Sequence, residues 1–158
     1  MDRKNKSVKI GSILDKLYPE TPVPLNHLNS YTLLVAVMLS AQTTDKKVNE
    51  VTPKLFKLAD SPEKMVNLKE EHIKEIIREI GLAPTKAKNL KKMAKQLIDG
   101  GGMRADWNYL ESLSGVGHKT ASVVMAQWYD IPAFPVDTHI HRLAARWGLS
   151  KAKNVEMT

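Results

Sequence analysis

Apolar residues in this chain recur with the period of an α-helix and nowhere with the period of a strand. Ile10, Ile13, Leu14 and Leu17 fall at i, i+3, i+4 and i+7, and Ile73, Ile76, Ile77 and Ile80 repeat that spacing. Each set makes one stripe on a helix surface. The pattern predicts an all-α chain with helices near 8–18, 30–41, 44–58, 62–67, 70–80, 85–98, 107–112, 118–129 and 138–147. Boundary residues agree: Ser61-Pro62 reads as an N-cap with proline at the first helical position, Gly81 stands just past the isoleucine stripe, and Gly100-Gly101-Gly102 follows the helix after Lys86. Pro53 lies inside the third segment, where it removes a backbone donor and crowds the preceding turn, so a kink or break is expected near Thr52. There is no internal repeat and no low-complexity linker.

A chain of 158 residues has room for one domain with its own core, or one and a fraction. Its longest apolar stretch, Tyr31 to Ala41, is interrupted by Thr32 and Ser40 and falls short of the roughly 20 residues that span a bilayer. It reads as a core helix. The first twenty residues carry charges without an apolar run of signal-peptide type, so a cytoplasmic protein is expected, nucleoid-associated if bacterial, with no membrane partner. With 24 Lys+Arg against 17 Asp+Glu, the net charge of +7 favours a polyanionic partner such as nucleic acid, although charge alone leaves ribosomal and membrane-surface readings open. Absence of cysteine excludes disulfides, Cys-ligated zinc, iron–sulfur clusters and a thiol nucleophile in this chain.

Lysines are unevenly spread. Lys88, Lys91, Lys92 and Lys95 recur at helical spacing, while Ala87, Leu90, Ala94 and Leu97 take a separate stripe. Five lysines and no acid fall between Lys86 and Lys95. This face is either an ordinary solvated surface or one that tracks phosphates, with Lys91 and Lys95 as candidates.

The most informative segment is Leu110-Glu-Ser-Leu-Ser-Gly-Val-Gly-His-Lys-Thr-Ala121. Asp106 can cap a short helix, Gly115 and Gly117 punctuate a tight turn, and Ala121, Val123, Val124 and Met125 continue into a buried helix. Helix, glycine hairpin, helix is the predicted unit. Glycines let backbone N–H groups approach a phosphate with no Cβ in the way, and the start of the next helix adds roughly half a positive charge. Amides of this kind cannot read a base, so binding through Gly115, Val116, Gly117, His118 and Thr120 should ignore sequence. Lys119, at the second position of the following helix, is expected to be partly desolvated beside the positive helix end, a setting that favours a neutral, nucleophilic amine. Equally, it can be a helix-start lysine that binds phosphate.

L-x-x-L-x-G-V-G-x-K-T-A, followed by Pro135-Val136-Asp137-Thr138-His139-Ile140, resembles the signature of the helix-hairpin-helix DNA glycosylases, and within them the endonuclease III family. Leu39-Ser40-Ala41-Gln42-Thr43-Thr44-Asp45 looks like that family's L-S-A-Q-x-T-D segment, and Gly81-Leu82 with Lys86-Ala87 matches its G-[LF]-x-x-x-K-A turn. Ser114 departs from the proline more often found in the hairpin, and Ala83-Pro84 replaces a polar or aromatic pair; hairpin geometry is expected to survive both. Family members continue for several helices beyond the position of Thr158 and usually finish with a four-cysteine iron–sulfur site, so the chain is expected either to lack that region or to be a fragment.

The resemblance implies a helix-hairpin-helix DNA glycosylase fold: a six-helix domain over 25–135 with its hairpin at about 107–129, and an incomplete second lobe made from 1–24 and 136–158. With few partners in that lobe, the Ile10–Leu17 stripe is expected to stay exposed, mobile or self-associated. The implied activity is a bifunctional base-excision enzyme, acting on oxidised pyrimidines and abasic sites in double-stranded DNA with no small-molecule cofactor. Lys119 would be the nucleophile and Asp137 the catalytic carboxylate, although Asp137 also stands where an N-cap belongs. Gln42 would enter the gap left by a flipped base, its plain alternative being a polar loop residue. Leu82 would wedge into the opposite strand or else make a C-cap contact. His118 and His139 would be phosphate or structural contacts, and a sodium or potassium ion would sit on main-chain carbonyls of Glu111, Leu113 and Val116. The competing reading is a non-catalytic helix-hairpin-helix DNA-binding module or inactive fragment. A monofunctional mismatch glycosylase is disfavoured because such relatives generally lack the lysine at position 119.

Overall fold

The computed structural model describes all 158 residues, and it contains nine helices and no strand. They are α1 (Arg3–Leu17), α2 (Ser30–Ser40), α3 (Asp45–Leu58), α4 (Pro62–Asn67), α5 (Glu70–Ile76), α6 (Ala83–Asp99), α7 (Trp107–Ser112), α8 (His118–Gln127) and α9 (Thr138–Arg146). Two compact units divide the chain: a larger one over Pro24–Phe134, and a smaller one in which Met1–Val23 joins Pro135–Thr158.

In the larger unit α2 is the core helix. Tyr31 through Leu39 are all buried, because this segment is apolar around its whole circumference and needs cover on every side. Asn29 and Thr32 close its start with a reciprocal capping box. Cover comes from α3, α6 and α8, while α4 and α5 pack on α6. None of the nine helices is long and apolar enough to cross a membrane.

Two expectations, one from proline's backbone and one from the isoleucine period, need correction. α3 runs unbroken through Pro53, so the break near Thr52 does not occur. An interior proline costs about 3 kcal/mol, whereas Val48, Val51, Leu55 and Phe56, on both sides of it, are buried at a gain of about 1.5–3 kcal/mol each. Packing therefore wins. α5 ends at Ile76 rather than Ile80, yet Ile73, Ile77 and Ile80 all remain buried. A tighter turn, with Ile80 N–H bonded to the Ile77 carbonyl at 2.8 Å, keeps residues three apart on one side after the α-helix stops.

In the smaller unit α1 is capped by Asp2 and buries none of its residues; Ile13, Leu14 and Leu17 are exposed, as the thin stripe implied. α9 starts at Asp137 and ends in a turn at Gly148, whose φ is +68°.

Candidate nucleic-acid interface and active site

The hairpin is built by α7, the five-residue connection Leu113–Gly117 and α8. Asp106 caps α7 by accepting the Tyr109 N–H at 2.8 Å, and Leu113 ends it. The chain then turns with the Val116 N–H bonded to the Leu113 carbonyl at 3.1 Å and Gly115 at φ +80°. A Cβ on Gly115 would come within 2.9 Å of Met38 Sδ and 3.0 Å of Asn89 Cβ. That glycine is needed both for its backbone angle and for the closeness of α2 and α6. Gly117 differs: it caps α8 with no side chain, its φ is an ordinary −95°, and a Cβ there would meet nothing within 4 Å. The start of α8 thus opens outward past a bare backbone, which is the geometry an anion needs.

α6 braces the turn from behind. Ser114 donates its N–H to Gln96 Oε1 at 2.8 Å and its hydroxyl to Asn89 Oδ1 at 3.0 Å, and Gln96 Nε2 reaches the Ser112 carbonyl at 3.1 Å. Proline could supply neither of the Ser114 bonds, so serine at this position ties the hairpin to α6 by another route. On the outer side, His118 Nδ1 lies 2.5 Å from Glu111 Oε1 and its ring stacks on Trp107 at 5.5 Å. His118 is therefore engaged in closing the mouth of the hairpin.

Lys119 is the second residue of α8 and its side chain is exposed. The partial burial expected of it is absent. Thr120 follows, half-buried. In the smaller unit Asp137 caps α9: one carboxylate oxygen accepts the N–H groups of His139 and Ile140, both at 2.9 Å. The capping alternative is thus realised, and it leaves the residue a fixed carboxylate. His139 is exposed, with its Nδ1 3.0 Å from the Arg142 guanidinium.

Gln42 and Leu82 lie in two turns that touch. Both are exposed, and both adopt left-handed backbone, φ 57° and φ 61°. Gly81 N–H donates to Thr43 Oγ1 at 3.1 Å, and a Cβ on Gly81 would meet the Gln42 carbonyl at 3.0 Å. Leu82 is 56% exposed and stands at the N-cap of α6. Gln42 is no cap, since Thr44 does that work for α3.

The lysine stripe stands apart from these groups. Lys91 donates to the Leu68 carbonyl at the end of α4 at 2.7 Å, and Lys88, Lys91, Lys92 and Lys95 line a 440 Å³ cavity with Val66 and Glu70. Glu70 arrives from α5, so the local charge is less one-sided than the sequence implied. α6 turns Asn89 and Gln96 to the hairpin, and the lysines toward α4 and α5. Lys86, by contrast, is 6% exposed, and its ammonium donates to the carbonyls of Leu39 and Ala41. Burial pushes its pKa below the ordinary lysine value.

A glycine hairpin with a lysine at the head of its second helix, in an all-helical chain, defines the helix-hairpin-helix architecture. Residues 35–158 match the family profile described as HhH-GPD superfamily base excision DNA repair protein. Endonuclease III of Treponema pallidum (strain Nichols) is 45% identical over 149 residues, which cover 91% of this chain and 71% of the relative. Among solved structures, a trapped endonuclease III–DNA covalent intermediate in an estranged-adenine complex superposes with a TM-score of 0.91 at 36% identity, covering 99% of this chain and 75% of that one. A thermostable thymine-DNA glycosylase gives 0.84 at 25% identity, over 97% and 73%. The chain belongs to the endonuclease III family within the HhH-GPD superfamily of base excision DNA repair proteins.

Proposed function

We propose that this chain is a bifunctional DNA glycosylase and abasic-site lyase that removes oxidised pyrimidines from duplex DNA. The observation that carries the reading is the exposed Lys119 one residue inside α8, directly after the bare glycine turn. Its amine, after giving up a proton, attacks C1′ of a nucleotide rotated out of the stack. The glycosidic bond breaks, the base leaves with a proton, and ring opening gives a protonated imine between Nζ and C1′. Loss of a C2′ proton then expels the 3′ phosphate, cutting the strand 3′ to the lesion, and water hydrolyses the imine to return the lysine.

The remaining residues divide the work. Gly115, Val116 and Gly117 present amides to the phosphates without regard to sequence, with His118 and Thr120 beside them. Asp137 contributes an ionised carboxylate that stabilises positive charge developing on the sugar. Gln42 fills the gap left by the extruded base and Leu82 wedges the opposite strand, for unstacking leaves a void that something must occupy. Carbonyls of Glu111, Leu113 and Val116 are donors of the type a monovalent cation takes. Leu113 already accepts the Val116 N–H and keeps one lone pair for such an ion, which when bound would add positive charge near the phosphates.

Similarity to endonuclease III, including a trapped covalent complex with DNA, supports this reading over a purely binding module. A duplex with a single oxidised pyrimidine tests it. Release of the damaged base with a cut on its 3′ side is expected; tight binding with neither release nor cleavage would overturn the enzymatic reading and favour the binding module.

A further inference from the structure

Lys86 stands where lysine is least expected. It is buried, and it lies in the first turn of α6, the end at which the helix dipole disfavours a cation. What holds it there is the opposite pole of another helix: the ammonium donates to the carbonyls of Leu39 and Ala41, at 2.9 Å and 2.5 Å, where α2 stops and its last carbonyls have no partner within the helix. The bond to Ala41 pins the residue immediately before Gln42. Four residues before Lys86 stands Leu82, the N-cap of α6, which has no side-chain cap of its own. Lys86 therefore reaches from the base of the Leu82 turn to the base of the Gln42 turn, and the Gly81 to Thr43 bond ties the same two turns a second time.

Both turn residues carry left-handed backbone that L side chains rarely adopt, and such angles persist only where surrounding contacts over-determine them. Lys86 and the Gly81–Thr43 bond are those contacts. We propose that Lys86 is a positioning residue for strand opening: it fixes the Gln42 and Leu82 turns, before DNA arrives, in the geometry that lets both side chains enter the duplex. The proposal deepens the reading of Gln42 and Leu82 as the pair that fills the opened duplex, and it rests on that reading. It assigns Lys86 no contact with substrate.

The test measures opening apart from phosphate binding. A fluorescent base analogue beside a reduced abasic site brightens when its neighbour unstacks, and affinity for undamaged duplex reports the hairpin alone. Lys86→Met should lower the opening equilibrium by about tenfold or more, because displacement of positioned groups by an ångström has effects of that size. Undamaged-duplex affinity and the helical circular dichroism should remain within about twofold and unchanged, respectively, since the hairpin is braced by Asn89 and Gln96 instead. Lys86→Arg, which keeps a buried cation with donors, should recover much of the loss. In a Gln42→Ala/Leu82→Ala background Lys86→Met should have no further effect. Opening by Lys86→Met within about twofold of the unmodified chain, or a full additional loss in that background, would overturn the proposal while leaving the roles of Gln42 and Leu82 standing. If Gln42→Ala/Leu82→Ala itself opens DNA normally, the reading of that pair fails first and takes the proposal with it. Should Lys86→Met not fold, Thr43→Val cuts the second tie at a half-buried side chain of similar shape: reduced opening supports the clasp, and normal opening overturns it.

Discussion

Two glycines two residues apart in the hairpin should fail in opposite ways when each is replaced by alanine. At Gly115 the new Cβ would be held at φ +80°, which costs about 1–2 kcal/mol for an L residue. It would also press within 3.0 Å of Asn89 Cβ and 2.9 Å of Met38 Sδ. The thioether can swing away, but Asn89 Cβ is fixed to α6, so overpacking adds about 1–3 kcal/mol. Alanine recovers about 0.4–1 kcal/mol by restricting the unfolded chain. The net loss is about 1–5 kcal/mol, with Tm falling by roughly 4 °C for each kcal/mol in a domain of this size. At Gly117 neither penalty applies, for φ is −95° and no atom lies within 4 Å of the new Cβ; the gain from restricting the unfolded chain offsets the loss of a glycine cap, so stability should stay within about 1 kcal/mol. Instead the methyl group would stand between the open start of α8 and a phosphate. Loss of one charge-assisted hydrogen bond, about 1.5–3 kcal/mol, would weaken binding to undamaged duplex by about 10–100-fold. Thermal unfolding and fluorescence-anisotropy titration of both variants decide the matter. A Tm for Gly115→Ala equal to the unmodified protein would refute the packing account, and unweakened DNA binding by a folded Gly117→Ala would refute the phosphate role of the turn.

Other outcomes follow from the same geometry. Asp137→Asn should keep its stability to within about 0.5 kcal/mol, because asparagine caps equally well, while Asp137→Ala loses about 1 kcal/mol; both should lower the cleavage rate by about 100-fold or more, and near-normal rates in the Asn variant would make Asp137 structural only. Lys95→Ala should leave the salt dependence of binding unchanged, since this stripe lines a cavity with Val66 of α4 and Glu70 of α5; a slope shallower by about 0.9 would show that Lys95 neutralises a phosphate after all. Tyr31 is 3% exposed and its hydroxyl has no hydrogen-bond partner, so Tyr31→Phe should raise stability by about 1 kcal/mol in chemical denaturation, and a loss of that size would mean the hydroxyl is satisfied by water.

Most of the helical architecture was legible because burial imposes its period on the sequence: the isoleucine stripe, Ser61-Pro62 and the triple glycine mark elements that the structure contains. Pro53 misled because a local backbone rule carries no information about the apolar residues on either side of it, whose burial outweighs the missing donor. The glycine turn could be read from its residues, whereas its support could not, since Asn89 and Gln96 meet Ser112 and Ser114 across 16 to 25 positions of chain. Lys86 is the instructive case. The run of lysines from Lys86 to Lys95 groups it with the basic face, yet it stands in helical register with Leu90, Met93 and Leu97, all fully buried, and that register puts it on the inner side of α6. The left-handed angles at Gln42 and Leu82 left no trace in residue type, because they are imposed by contacts between two distant turns and not by local preference.

The central claim is that Lys119 forms the bond to the sugar. It is tested most directly by borohydride reduction of the protein mixed with duplex DNA containing one abasic site, a treatment that converts an imine into a permanent cross-link. A protein–DNA adduct is expected for the unmodified chain, mapping to Lys119 by peptide mass, and none is expected for Lys119→Ala, which should still bind undamaged duplex through the hairpin. Adduct formation at the unmodified level in Lys119→Ala, or its absence from the unmodified chain, would contradict the account.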